Sequence, residues 1–123
     1  MKRLTLNSSL ALSLLAALAM SSQAICAGEK PVANDENSRV TIETESVQPA
    51  GQYIQASFWA YTGKDRISIA ALVDGCDKGS GRISYKVNPQ DPGAFAKVNL
   101  WKSDGEQVTD RMAAAACRQA KHG

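Results

Sequence analysis

The groups with which this chain can do chemistry are three cysteines, one histidine and a scatter of carboxylates. The histidine, His122, stands next to the C-terminus. A lone tail histidine excludes Ser–His–Asp triads, Cys–His pairs and His-based zinc sites of the usual kinds. The aspartates Asp65, Asp74, Asp77, Asp91 and Asp104 lie in stretches punctuated by glycine or proline. There a carboxylate accepts backbone bonds that shape a turn, and turn chemistry is the reading in preference to a glycosidase pair. The segment "DGCDKGSG" (74–81) has the look of a phosphate loop. It lacks the GxxxxGK[ST] pattern, no helix follows it, and it misses the DxDxDG calcium spacing. The expectation is a chain with no catalytic residues, no metal and no cofactor.

The thiols carry a sharper message. Cys76 falls in that glycine-rich turn, and Cys117 falls in the alanine-rich tail "VTDRMAAAACRQAKHG". Lys78 and Arg82 near Cys76 would favour a reactive thiolate. No CxxC and no neighbouring histidine supports such a role. A structural Cys76–Cys117 disulfide is the expectation. It would tie a helix whose face is mostly alanine, and which buries little area of its own, to the sheet.

A third constellation combines rings and bases. Alternation puts Trp59, Tyr61 and Trp101 on the sheet face opposite Ile54, Phe58, Val98 and Leu100, with Arg82, Lys86 and Lys97 near the rings. Such a face can stack on sugars or meet an acidic partner. The plainer alternative is that these aromatics are covered within the fold. Trp59, Tyr61, Trp101, Arg82 and Lys86 are the candidate binding residues.

The N-terminus indicates where the chain is sent. Lys2 and Arg3 precede an apolar run at residues 10–20, and the small, uncharged "SSQAICA" follows. That is the layout of a Sec-type signal peptide. The run falls short of the ~20 apolar residues a membrane span needs, so no transmembrane anchor is expected in the mature chain. Two cleavage points compete. Ser22 and Ala24 suit cleavage after Ala24. Cleavage after Ala27 removes Cys26 and leaves an even number of thiols, as an oxidising compartment favours. The second is preferred, giving a signal peptide over 1–27 and a destination in the periplasm or outside the cell. Lys2 and Arg3 account for the whole formal excess of +2, so a nucleic-acid partner loses its electrostatic basis.

These groups need a scaffold to position them. Residues 28–38 are polar and read as a flexible leader. Residues 39–123 read as one small domain. Short runs of period-two alternation follow one another: "RVTIETESV", "YIQASFWAYT", "RISIAALV", "RISYKV" and "AFAKVNLWK". Gly, Pro, Asn and Asp separate them, and the connections are too short for helical crossovers, so an antiparallel meander is expected. The tail switches to helical period. Ala113, Ala116, Cys117 and Ala120 share one stripe, and Arg111, Arg118 and Lys121 another. Its start is open between a Ser103–Glu106 capping box and an Asp104-Gly105 hairpin turn leading to a cap at Thr109 or Asp110; the hairpin is preferred. The fold class is α+β: a five- or six-stranded antiparallel meander, a C-terminal helix on one face and one disulfide.

In strand order and in its terminal cysteine-bearing helix, the chain resembles in outline the surface-adhesin E-like family of small exported bacterial proteins. The resemblance implies an antiparallel sheet with a C-terminal helix and carries over no binding residue. The functional expectation is a small exported, non-catalytic binding protein whose partner is a protein or a glycan. The alternative is a periplasmic inhibitor or immunity protein that blocks an enzyme through an exposed loop such as "DKGSG" or "NPQDPG".

Overall fold

Alternating residues make strands because successive side chains leave opposite faces of the backbone, so one face can be buried and the other left in water. A computed structural model, describing residues 28–88, Phe95 and 97–122, puts this alternation into one sheet. The strands are β1 (Glu29–Asn34), β2 (Ser38–Glu43), β3 (Gln48–Ala50), β4 (Tyr53–Thr62), β5 (Asp65–Val73), β6 (Ser80–Val87) and β7 (Lys97–Lys102). A short 3-10 turn at Thr44–Ser46 separates β2 from β3, and the helix α1 spans Val108–His122. The order is β1-β2-β4-β5-β6-β7, with β3 paired to the start of β4, and every pairing is antiparallel. The meander, the C-terminal helix and the α+β class are as the sequence predicts. The signal segment 1–27, Cys26 and the loop "NPQDPG", apart from its first residue Asn88, lie outside the described residues.

Two differences have local causes. The stretch 28–38, expected to be a flexible leader, contains the edge strand β1. It is paired along β2 with a bulge between Pro31 and Ala33, and an edge strand tolerates the missing Pro31 N–H. Asp35 closes the hairpin by accepting bonds from the Asn37 and Ser38 amides, both at 2.9 Å. Those amides hold its carboxyl below the ordinary aspartate value. The second difference lies before α1. No strand follows Lys102 among the described residues. The Gln107 N–H donates to Asp110 Oδ2 at 3.0 Å, the reciprocal half of a capping box, formed without Ser103. Gly105 is required beside it, because a Cβ there would stand 2.1 Å from Asp110 Oδ2.

The helix packs on the face that carries Val40, Ile42, Ala56, Phe58, Val73 and Ile83, and contributes Met112, Ala113, Ala115 and Ala116. Small alanines let the backbone of α1 come close to the sheet, and one large side chain fills the remaining space. That side chain is Trp101, 3 % exposed. Its register partner is Gly81, where a Cβ would lie 2.5 Å from the Asp74 carbonyl oxygen, and its indole N–H donates to that carbonyl at 2.9 Å.

Cys76 and Cys117 are bonded, with their Cα atoms 5.4 Å apart and a sequence separation of 41. The bond joins the β5–β6 turn to the last turns of α1. Gly75 makes that turn possible. Its φ is +83°, and a Cβ there would lie 1.9 Å from the Ser80 carbonyl oxygen. Closing a loop of this size is worth ~4 kcal/mol in the chain-entropy account.

Candidate binding face

The outer face, the one α1 does not cover, is built by register. The two-residue Gly63-Lys64 loop sets Thr62 opposite Asp65, Tyr61 opposite Arg66 and Trp59 opposite Ser68. Through β2, Arg39 faces Tyr61 and Thr41 faces Trp59. Through β6 and β7, Lys86 faces Ala70, Ser84 lies between Leu72 and Val98, and Arg82 faces Leu100. The face thus has two ends, joined across small residues: Ser57, Ser68, Ala70 and Ser84.

At the first end, polar groups and rings satisfy one another. The Glu29 carboxylate, its side chain only 4 % exposed, accepts bonds from Thr41 Oγ1 at 2.6 Å and from the Tyr61 hydroxyl at 2.9 Å. Arg66 donates to Glu29 Oε2 at 3.3 Å and, through Nε, to the Tyr61 oxygen at 3.1 Å. The Trp59 indole N–H donates to Glu43 Oε1. Guanidinium groups cover the rings: Arg66 lies 3.5 Å from the Trp59 centroid and Arg39 lies 4.5 Å from that of Tyr61. Burial, and then the Glu29 carboxylate beside it, push the Tyr61 phenol above its ordinary value.

The second end is open. Leu100 is 78 % exposed and Val98 53 %, with half-buried Leu72 behind them and Arg82 and Lys86 alongside. Asp74, the carboxylate at this end, accepts the Arg82 N–H at 2.7 Å and faces the Arg82 guanidinium at 3.6 Å.

Of the candidate residues, Trp59, Tyr61, Arg82 and Lys86 share the outer face. Trp101 does not. Alternation along "AFAKVNLWK" gives the parity of its side chains but not which set faces the core, and the assignment made from the sequence is reversed here. Trp101 turns inward, where its indole N–H finds an acceptor, and Val98 and Leu100 turn outward. Sequence reasoning also missed Glu29, Arg39 and Arg66. Arg66 was within reach, because a two-residue loop between two strands fixes which residues face each other. Glu29 was not, because its burial depends on β1 joining the sheet.

Among the described residues no group of three His, Cys, Asp or Glu is placed to hold a metal ion, and no helix is long and apolar enough to cross a membrane. A comparison of the chain with protein-family models, curated proteins and solved structures finds no match.

Proposed function

We propose that this is a small exported, non-catalytic binding protein that meets a partner protein through the open end of its outer sheet face. The observation that carries the reading is the pairing of strongly exposed Leu100 and Val98 with Arg82 and Lys86 on a face that α1 leaves uncovered. Large apolar side chains grouped on one exposed face and rimmed by charge are the usual mark of a contact surface. A protein is favoured over a glycan because Trp59, the ring best suited to stack on a sugar, already has Arg66 over it. Support for export comes from the basic-then-apolar N-terminus and from the Cys76–Cys117 bond, which suits an oxidising compartment. Cleavage after Ala27 would leave a mature chain from Gly28, one residue before β1. N-terminal mass spectrometry of the exported protein tests this, and a start at Ile25 would remove the cysteine-parity basis for it.

A second reading, an inhibitor acting through the "DKGSG" turn, is favoured by how firmly that turn is held. Cys76 is tied to the helix. The Lys78 N–H donates to the Gly75 carbonyl at 2.9 Å, and the Ser103 N–H to that of Gly79 at 2.8 Å. Asp77 and Lys78 are exposed on it. A photo-cross-linking residue at position 100 or at position 78, introduced into the exported protein in cells, separates the two. The first reading expects a discrete adduct from position 100 that an Arg82→Glu change weakens. Adducts from position 78 alone would replace it with the second.

A further inference from the structure

Strand β7 presents less free edge than its length implies. Its register with β6, continued by the Ser103 N–H bonding to the Gly79 carbonyl, fixes the phase of the ladder. Lys97, Asn99 and Trp101 bond inward to β6. On the far side of β6, the Asp74–Arg82 bond shows that Arg82, Ser84 and Lys86 are used by β5, consistent with that phase. The backbone groups of Val98, Leu100 and Lys102 therefore point away from the sheet. Those of Lys102 are taken: Asp110 Oδ1 accepts its N–H at 3.0 Å, and the Gly105 N–H donates to its carbonyl at 3.0 Å. No hydrogen bond among the described residues reaches the outward groups of Val98 and Leu100.

Charge states what fits there. The residues with free backbone groups are the same two whose apolar side chains are exposed on the outer face. Exposed Lys97 and Lys102 flank them, and Arg82 stands opposite Leu100. Two nearby carboxylates are already engaged, Asp74 with the Arg82 N–H and Asp110 with the Lys102 and Gln107 amides, and the exposed Asp104 and Glu106 lie beyond β7, in the turn that leads to α1. Lysines on an edge strand oppose pairing with a second, equally basic edge. They favour an acidic one.

We infer that the β7 edge accepts, by strand addition at Val98 and Leu100, a short extended segment of a partner protein with apolar residues at alternate positions and carboxylates beside them. Backbone pairing would supply affinity and the alternate side chains specificity. The inference rests on the proposed binding role of the outer face and adds how the partner is held. An edge limited to two residues makes a small contact, of the kind found in transient complexes.

The test is a titration of the oxidised protein with the blocked peptide Asp-Glu-Ile-Thr-Ile-Glu-Asp, followed by amide NMR and hydrogen exchange. The Val98 and Leu100 amides should shift and gain protection. A peptide with lysine in place of every acid should bind at least about tenfold more weakly, and so should one N-methylated at both isoleucines. Val98→Pro removes one outward donor while sparing the β6 ladder, as an edge position allows. It should abolish binding and keep the melting temperature. Absence of any shift, or equal binding of the acidic and lysine peptides or of the N-methylated one, overturns the inference. Protection of Val98 and Leu100 that grows with protein concentration alone, and is lost in Val98→Pro, would make a second copy of this chain the occupant and also overturn it. If the position-100 adduct in cells survives Val98→Pro, the outer-face reading stands and strand addition falls. If that adduct never forms, both fall.

Discussion

The two ends of the outer sheet face differ in their ingredients and in their state. At the Trp59–Tyr61 end, two arginines, two aromatic rings and two glutamates close on one another, and Glu29 is nearly sealed from water. At the Val98–Leu100 end, plain aliphatic side chains stand in solvent beside Arg82, and Lys86 lies half-buried nearby. Side chains rich in interactions tend to find partners inside their own fold. Leucine and valine have no polar atoms with which to do so, and when they are left exposed together they mark a surface that awaits something. The first end is satisfied within the fold, and the second is the one proposed for recognition.

The contrast breaks most visibly at Trp101, the aromatic that left the outer face for the core. Trp101→Ala should cost about 3–5 kcal/mol in denaturant unfolding, and a loss below 1 kcal/mol would return it to the surface. Reduction of the disulfide comes next, at ~4 kcal/mol. Because α1 is faced mainly with alanine, its amides from Met112 to Gln119 should lose exchange protection first and those from Ile67 to Val73 last. Uniform loss would show that the bond supports the whole domain. At the closed end, Glu29→Ala removes the acceptor shared by Thr41, Tyr61 and Arg66 and should cost about 1.5–3 kcal/mol. Protection should fall most in β1, the strand this carboxylate pins.

A smaller effect appears at high pH. The Tyr61 phenol is raised above its ordinary value of 10.0 by burial and by Glu29. The unfolded chain therefore gives up this proton first, and stability declines as the pH climbs above 10.0 and levels off once the folded phenol has ionised. In an ultraviolet titration, a tyrosine step should fall above 10.0, and Tyr61→Phe should remove it. At the open end, Leu100→Lys should change stability by no more than about 0.5 kcal/mol. A large loss there would mean that Leu100 is structural and that the contrast between the two ends is wrong.

Most of the framework was legible because it is periodic. Alternation marked β2 and β4 to β7, while β3 lies in "QPAGQ", which reads as a break; the alanine stripe marked α1, and the cysteine count left Cys76 and Cys117 to pair. What escaped depended on contacts distant in sequence. β1 looked like a polar leader because Val32 and Ala33 are its only side chains packed against the core, while Glu29 is buried by residues 12 to 37 positions away. The inward side to which Trp101 turns is where its indole N–H meets the Asp74 carbonyl, 27 positions away, and such an acceptor leaves no local pattern. The candidate site was half visible for the same reason. Its rings were conspicuous, but the groups that satisfy Trp59 and Tyr61, namely Glu29, Arg39, Glu43 and Arg66, are brought to them by the register of β1, β2 and β5. The two open aliphatic positions were assigned to the core by the same parity that misplaced Trp101.

Asp110 sits where sheet and helix meet, and its position limits how far copies of this chain could stack edge to edge. A bare edge strand is a template on which identical chains stack into fibrils, each copy offering the next a fresh row of amides. By accepting the Lys102 N–H, the carboxylate that starts α1 also ends the template, so a visiting strand finds two residues to grip and then meets a helix. The helix follows the whole meander in sequence, so it leaves the ribosome after the strands. Until it folds, the row runs on past Leu100. A chain cut short before residue 108 would keep its whole meander, lose this stop, and be expected to seed ordered aggregates that the intact protein does not.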